Sequence, residues 1–336
     1  MTRSFIALVA LAAATATAAV AANIGPGTPT GTGTVFAPNP VADLQNQALT
    51  DQKDADYAAL APAYHRVRLT NLDGSGYLSG DWANIRSETG SPAFSATNTF
   101  AYRRDDDRFE QVMAYYWVTE AQKYIQSLGF GTTLRPVNKE SQDIRINTWG
   151  QDNSYSWDKH DVLRFGKGGV DDAEDAEVIL HEYGHAVQDA QQTPFGFGAT
   201  VESGAIGEGF ADYLAVTVSS VLAPTPDAPC VADWDSVSYT SQVPHCLRRV
   251  DTNLHYPEDL NGSVHHDGQI WSRALWDIRK AVGATRADTL ILEGQFNVGS
   301  PTMPALARST VAAASRLYGS TVAGKVRAAF VTRGIL

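Results

Sequence analysis

His181-Glu182-Tyr183-Gly184-His185 places two imidazoles four residues apart. The flanking Val178, Ile179, Leu180, Ala186 and Val187 are apolar at helical spacing, so both rings fall on one helix face, a turn apart, within reach of a single metal ion. Glu182 lies on the same turn, beside the ligands without being one, where a base for a metal-activated water would stand. Such a site needs a third ligand. The segment ESGAIGEGFADYLAV supplies it, because Glu208 and Asp212 are again four apart on an expected helix. Glu208 completes a His2Glu set, and Asp212 can accept a hydrogen bond from a ligand imidazole. Zinc suits three N/O ligands with the fourth position left to water, so one catalytic zinc is the expected cofactor. Gly207 and Gly209 bracket Glu208; they weaken a helix and are better explained by close packing on another element than by a solvated face.

HEYGHAVQD followed by ESGAIGEGFAD resembles the thermolysin-like and fungalysin-like metallopeptidases, whose third ligand lies in a similar SGxxxE segment of a following helix. Twenty-two residues lie between His185 and Glu208, within the range over which such loops vary. Upstream, DNSYSWDKHDVLRFGKGGVDDAED resembles the edge strand and the approach to the active helix in fungalysin-like enzymes. Downstream, SVHHDGQIWSRALWDI resembles the segment bearing their transition-state histidine, which aligns with His265. The resemblance runs from about Phe100 to the C-terminal VRAAFVTRGIL.

It implies an endopeptidase acting on protein or peptide substrates, with zinc on His181, His185 and Glu208 and with Glu182 as the base. It further implies that His265 stabilises the oxyanion, that Arg248 in CLRRVD binds a substrate carbonyl, and that Asn153 and Ser154 contact the peptide backbone. His266 competes with His265 for its role, and Arg249 with Arg248. Asp259 is a candidate to orient His265, although its offset is not the thermolysin one. Val178, one turn before His181, and Leu247, beside Arg248, suggest an apolar pocket for the side chain after the cut. Two departures stand out. Ala199 occupies the position, nine residues before the third ligand, where thermolysin has a tyrosine. The stretch before Phe100 is also too short for the large pro-segment usual in these families.

Three other readings compete. A zinc aminopeptidase would carry a GxMEN-type motif upstream of the metal helix, and none occurs. An inactive peptide-binding module of the same fold would have no need of the intact set His181, Glu182, His185 and Glu208. A structural zinc site would be closed by four protein ligands, commonly with Cys, which this cluster lacks.

The elements that must hold these residues can be read along the chain. Its 336 residues are 43% hydrophobic, enough for one large core or two moderate ones, and its net charge of −11 without a Lys/Arg-rich run speaks against a nucleic-acid partner. Residues 1–22 have the charged start, apolar stretch and small-residue end of a signal peptide, so a secreted or periplasmic protein without a stable membrane anchor is expected. Residues 23–60, Gly/Pro/Thr-rich at first, read as a leader.

From Tyr64 to Phe100 short apolar runs and turn signals suggest strands and hairpins. Helical spacing of Phe109, Val112, Met113, Tyr116, Trp117, Ala121, Tyr124, Ile125 and Leu128 gives one long amphipathic helix. QDIRINTW alternates as a strand, and helices are expected at about 203–222, 266–282, 304–318 and 321–332. The fold class is therefore α+β in two lobes, a β-rich one over 61–190 ending in the metal helix and a mainly helical one over 191–336. The acidic run at 171–177 suits helix capping, with calcium the alternative but without a clear motif. Cys230 and Cys246 are expected to form a disulfide.

Overall fold

Gly31–Val35 (β1) enters the structure as the central strand of a sheet, followed by a short helix, Pro40–Leu44 (α1), which Asn39 caps by accepting from the Ala42 N–H. This computed structural model describes residues 28–195 and 200–336; the expected signal segment, residues 1–22, and Ala199 lie outside them. The expected leader is thus corrected from residue 31 onward, since Val35, Phe36 and Val41 are fully buried. Gly31 and Gly33 are close-packing residues rather than spacers. A Cβ on Gly31 would stand 2.3 Å from the Asn98 carbonyl oxygen, and one on Gly33 would stand 2.5 Å from Val112 Cγ1.

Next come His65–Leu69 (β2), Ala83–Ser87 (β3) and Thr99–Phe100 (β4). The strands form, but they do not pair as consecutive hairpins. β1 pairs antiparallel with β2 and parallel with β4, while β3 pairs parallel with a later strand. Alternation in a sequence says which side of a strand is buried and not which strand lies beside it.

Arg108–Ser127 (α2) buries Phe109, Val112, Met113, Trp117, Ala121 and Ile125, the stripe read from the sequence, against the sheets and the metal helix. Gln142–Ile146 (β5), Tyr155–Trp157 (β6) and Val162–Arg164 (β7) complete a second sheet of order β3-β5-β7-β6, in which β6 is an edge strand.

The acidic turn 171–175 then leads into Ala176–Ala190 (α3), where an Asp175 carboxylate oxygen accepts the Glu177 N–H and so caps the helix. Within that turn the buried Arg104 donates from Nε to both oxygens of Glu174 at 2.9 Å, anchoring the start of α3 to the approach of α2.

Val201–Leu222 (α4) starts with a capping box in which Thr200 and Ser203 each bond the other's backbone. After it Cys230–Val231 (β8) and Arg248–Arg249 (β9) form a small antiparallel ribbon closed by the Cys230–Cys246 disulfide. The chain ends in Val264–Val282 (α5), Ala284–Gly294 (α6), Met303–Tyr318 (α7) and Ser320–Thr332 (α8). α6 was not expected: its Leu290-Ile291-Leu292 run lacks helical spacing because the helix is sandwiched between α5 and α7.

The architecture is α+β, with the two larger sheets before α3 and most of the helices after it; the main apolar core runs from Val35 to Ile335 through both parts, beside a smaller cluster around Val41, Leu60 and Trp234. Among the described residues no helix is long and apolar enough to cross a membrane.

Candidate active site

Two glycines set the depth at which the ligands meet. A Cβ on Gly184 would lie 2.9 Å from Ala211 Cα, so α3 and α4 touch backbone to side-chain root just before His185. A Cβ on Gly209 would lie 2.2 Å from the Gly268 carbonyl oxygen, so α4 meets α5 with no space for a side chain. α4 is held on both faces, and Glu208 projects from it toward the two histidines.

His181 Nε2 stands 3.3 Å from Glu208 Oε2, and His185 Nε2 stands 3.7 Å from Glu208 Oε1. The three donor atoms lie within 4.8 Å of one another. Glu208 Oε2 is buried and has no hydrogen-bond partner, so the three groups converge without satisfying each other. His181 Nδ1 faces Asp212 Oδ1 at 2.8 Å; with the proton on that nitrogen, Nε2 is left as the lone-pair donor. Two nitrogens and one carboxylate oxygen beside an open cleft fit a zinc ion.

Asp212 is itself held. Arg248 donates from Nε to Oδ2 and from Nη2 to Oδ1, both at 2.7 Å, giving a chain from Arg248 through Asp212 to His181. Burial opposes charge on His181, but Asp212 and Glu208 outweigh it and raise its pKa to about 10. For His185 burial dominates and lowers it to about 4, the nearby Glu208 only partly offsetting this. Burial also opposes ionisation of Asp212, yet Arg248 prevails and holds it at about 2. Glu208 lies well below the carboxylate range, its burial overcome by His181 and His185. Burial pushes Glu182 up to about 7, with His181 opposing.

A cleft of about 460 Å3 runs over these groups, lined by Asn153–Lys159 including β6, by His181, Glu182 and His185, and by Phe195 and His265. A smaller cavity of about 100 Å3 shares Asn153, Ser154, His181, Glu182 and His265 with it, and adds Val178, Leu247 and Arg248. The expected residues therefore meet at the junction of two cavities, where one oxygen of the buried Glu182 carboxylate has no partner.

His265 is the histidine at the site, with Nε2 3.3 Å from Glu208 Oε2 and 54% of its side chain exposed. His266 turns away to Asp267. Asp259 does not orient His265: it accepts the His255 N–H, whereas Asp267 accepts the Asn261 and Gly262 N–H groups that lead into α5. Arg249 is ion-paired with Asp227 and Asp251 and lies outside both cavities. The Ser154 hydroxyl is bonded to Asp172 rather than free, and Tyr239 on the smaller cavity bonds Asp152.

Sequence reasoning missed the carboxylates of Asp172 and Asp235 on the wall of the smaller cavity. Of these, only Asp172 had a signal, as part of the acidic run.

This geometry is that of a candidate metal centre with a carboxylate beside it. Residues 149–287 match the family model described as Fungalysin metallopeptidase (M36). Extracellular metalloproteinase 4 of Trichophyton rubrum is 29% identical over 115 residues, covering 31% of this chain and 17% of that protein. Its namesake in Trichophyton soudanense is 28% identical over 115 residues, covering 31% of this chain and 28% of that one. The chain thus spans less than a third of the length of the curated relatives it matches. In fold it is similar to the precursor of protealysin, a metalloproteinase from Serratia proteamaculans, at a TM-score of 0.57 and 16% identity over 90% of this chain and 99% of that one. The chain is fungalysin-like across the segment that carries its site, on a fold of the thermolysin kind.

Proposed function

We propose that the protein is an exported zinc endopeptidase. The observation that carries this is the meeting of His181, His185 and Glu208 around one point, with Glu182 beside it, on the floor of an open cleft bordered by an edge strand. When bound, zinc would polarise the scissile carbonyl and lower the pKa of an attacking water toward about 7.

Glu182 takes the proton of that water and delivers it to the leaving amine. His265, exposed at the rim, donates to the developing oxyanion, an interaction worth about 3–4 kcal/mol where one such donor is lost. Arg248 fixes Asp212 and through it His181, and it lines the smaller cavity, where a substrate carbonyl can accept from its guanidinium. The free edge of β6, with Asn153 and Ser154 before it, offers backbone groups to an extended peptide. Val178, Val231, Ala232 and Leu247 form the apolar part of the smaller cavity's wall, which they share with Asp172, Glu177, Asp235 and Arg248; an apolar side chain after the cut would lie against that part.

The test is digestion of an unstructured protein by the purified chain, with and without a zinc chelator, and mapping of the cuts by mass spectrometry. Internal, chelator-sensitive cuts before Leu, Ile or Phe are expected. Release of single N-terminal residues would make it an aminopeptidase, and no cuts would favour a binding module. Cuts concentrated before acidic or basic residues would remove the apolar preference.

A further inference from the structure

The ribbon that carries Arg248 is anchored along one strand, and the other strand hangs from it. β8 is fastened to the helices of the metal centre. The Ala232 N–H that follows it donates to Glu177 Oε2 at 2.8 Å, and the Ser219 hydroxyl of α4 donates to the other oxygen of that carboxylate at 2.7 Å. Trp234 and Asp235 then donate from their N–H groups to Asp175 Oδ2 at the cap of α3. The backbone of β9 is held through β8: Cys230 pairs with Arg249 and Val231 with Arg248. Two further bonds extend the pairing, from the Leu247 N–H to the Val231 carbonyl at 2.9 Å and from the Val250 N–H to the Pro229 carbonyl at 3.1 Å. A two-stranded ladder that short is marginal by itself. The covalent link across it is the Cys230–Cys246 disulfide, two residues before Arg248.

What the disulfide holds in place bears on the metal. Arg248 donates to both oxygens of Asp212 at 2.7 Å, and Asp212 Oδ1 faces His181 Nδ1 at 2.8 Å. A bidentate pair fixes the orientation of the guanidinium as well as its position, so slack in β9 passes to Asp212 and to the imidazole it orients. The disulfide is also reachable. Cys230 is 5% exposed, but Cys246 is only partly buried, and Arg249 Nη1 stands 3.5 Å from its sulfur. A cation beside a sulfur stabilises the thiolate and makes it a better leaving group.

We propose that the Cys230–Cys246 disulfide is a redox-sensitive clamp on the metal centre, which holds Arg248 against Asp212 while closed and lowers zinc affinity when a small thiol opens it. This rests on the reading of His181, His185 and Glu208 as zinc ligands. In the opening reaction the thiolate of a small thiol attacks the Cys246 sulfur, the S–S bond breaks, and Cys230 leaves as a thiolate. A second thiolate attacks the reductant's sulfur in the mixed disulfide and releases the Cys246 thiolate beside Arg249. Both protein thiolates then take up the protons that the two thiols had lost. Two thiols are oxidised to one disulfide and the protein disulfide is reduced by two electrons. Since coupling is reciprocal, bound zinc makes the disulfide harder to reduce by the factor through which the disulfide tightens zinc.

The test is zinc affinity by chelator competition for the wild type and for Cys230→Ala/Cys246→Ala, each with and without Asp212→Ala. Removing the disulfide should weaken zinc about tenfold when Asp212 is present. With Asp212→Ala the loss should be under about twofold, because the link it acts through is already gone. An equal loss in both backgrounds overturns the proposal, as does an affinity that the paired alanines leave unchanged. A wild type that takes up no zinc overturns the zinc reading as well, which separates the two failures. If the paired alanines do not fold, the wild type decides alone, equilibrated zinc-loaded and zinc-free in buffers of reduced and oxidised glutathione. Zinc should move the midpoint of reduction about 30 mV more negative, the equivalent of a tenfold coupling for a two-electron couple. A midpoint that stays in place or moves the other way overturns the proposal.

Discussion

The two ends of α3 carry buried charge in opposite ways. Toward its C-terminal half, His181 and His185 meet Glu208 and Asp212 from α4 and Arg248 from the ribbon, so Glu208 and Asp212 each face a positive group. At its N-terminal end Asp171, Asp172, Glu174, Asp175, Glu177, Asp233 and Asp235 are buried together, and Arg104 on Glu174 is the basic group paired among them. The electrostatic consequences differ in sign. Asp212 is held at about 2 and Glu208 lower still, whereas burial raises Asp171 to about 9, Asp172 and Asp233 to about 8, Glu174 to about 7 and Asp175 to about 6. Charge at the metal centre is organised by partners on neighbouring elements. At the other end burial suppresses it by favouring the protonated carboxyls.

The sharpest break in this contrast is Glu182→Gln, which leaves every ligand in place and removes only the proton acceptor. Activity should fall by about 10²- to 10⁴-fold while zinc content after dialysis is unchanged. A near wild-type rate would show that the base is elsewhere. Arg104→Met tests the other end: one partner of a fully buried pair is removed and Glu174 is left uncompensated, at an expected cost of about 3–5 kcal/mol in urea unfolding. Adding Glu174→Leu to it should recover much of that loss, and a double variant no better than the single one would contradict the charge argument.

Asp212→Ala should weaken zinc binding by about 10- to 100-fold in a chelator competition, because His181 loses the group that fixes its tautomer. An unchanged affinity would mean that the Arg248–Asp212 chain holds the fold rather than the metal.

The smallest and broadest effect concerns pH. A carboxyl whose folded pKa is raised binds its proton more tightly in the native state, so its contribution is full below the unfolded value near 4 and is lost as pH rises through the folded value. For the layer at the start of α3 that window runs from about 4 to about 9, and Tm should drift down across it by a few degrees. A Tm rising from pH 5 to pH 8 would reverse the sign.

How much of this was legible follows from what each residue depends on. His181, His185, Glu208 and Asp212 were readable because their relation is carried by helical spacing within α3 and α4. That Arg248 lies against Asp212 was not, since it depends on how a ribbon of two short strands, closed by Cys230–Cys246, folds back on α4, which no spacing along the chain fixes. Asp259 was misplaced because an offset along the chain does not fix the direction of a loop that turns at Gly262. The strand at Gly31–Val35 was read as leader because glycine that permits close approach has the same composition as glycine that permits flexibility. Asp235 had no local signal at all, being an ordinary aspartate in a turn until the fold sets it beside Asp152 and Asp172.

The contact between Gly209 and Gly268 has a consequence for how this sequence can vary. Neither residue offers an atom to the metal or to a substrate, yet each stands where any Cβ would collide with the backbone of the facing helix. In a saturation library scored for activity, both positions should therefore tolerate almost nothing, alanine included. The surrounding α5 positions that face solvent, such as Lys280, should accept most residues. A map of tolerated substitutions would then trace the seam between α4 and α5 as clearly as it traces the ligands, and a screen for functional positions that relied on intolerance alone would count the seam as part of the site.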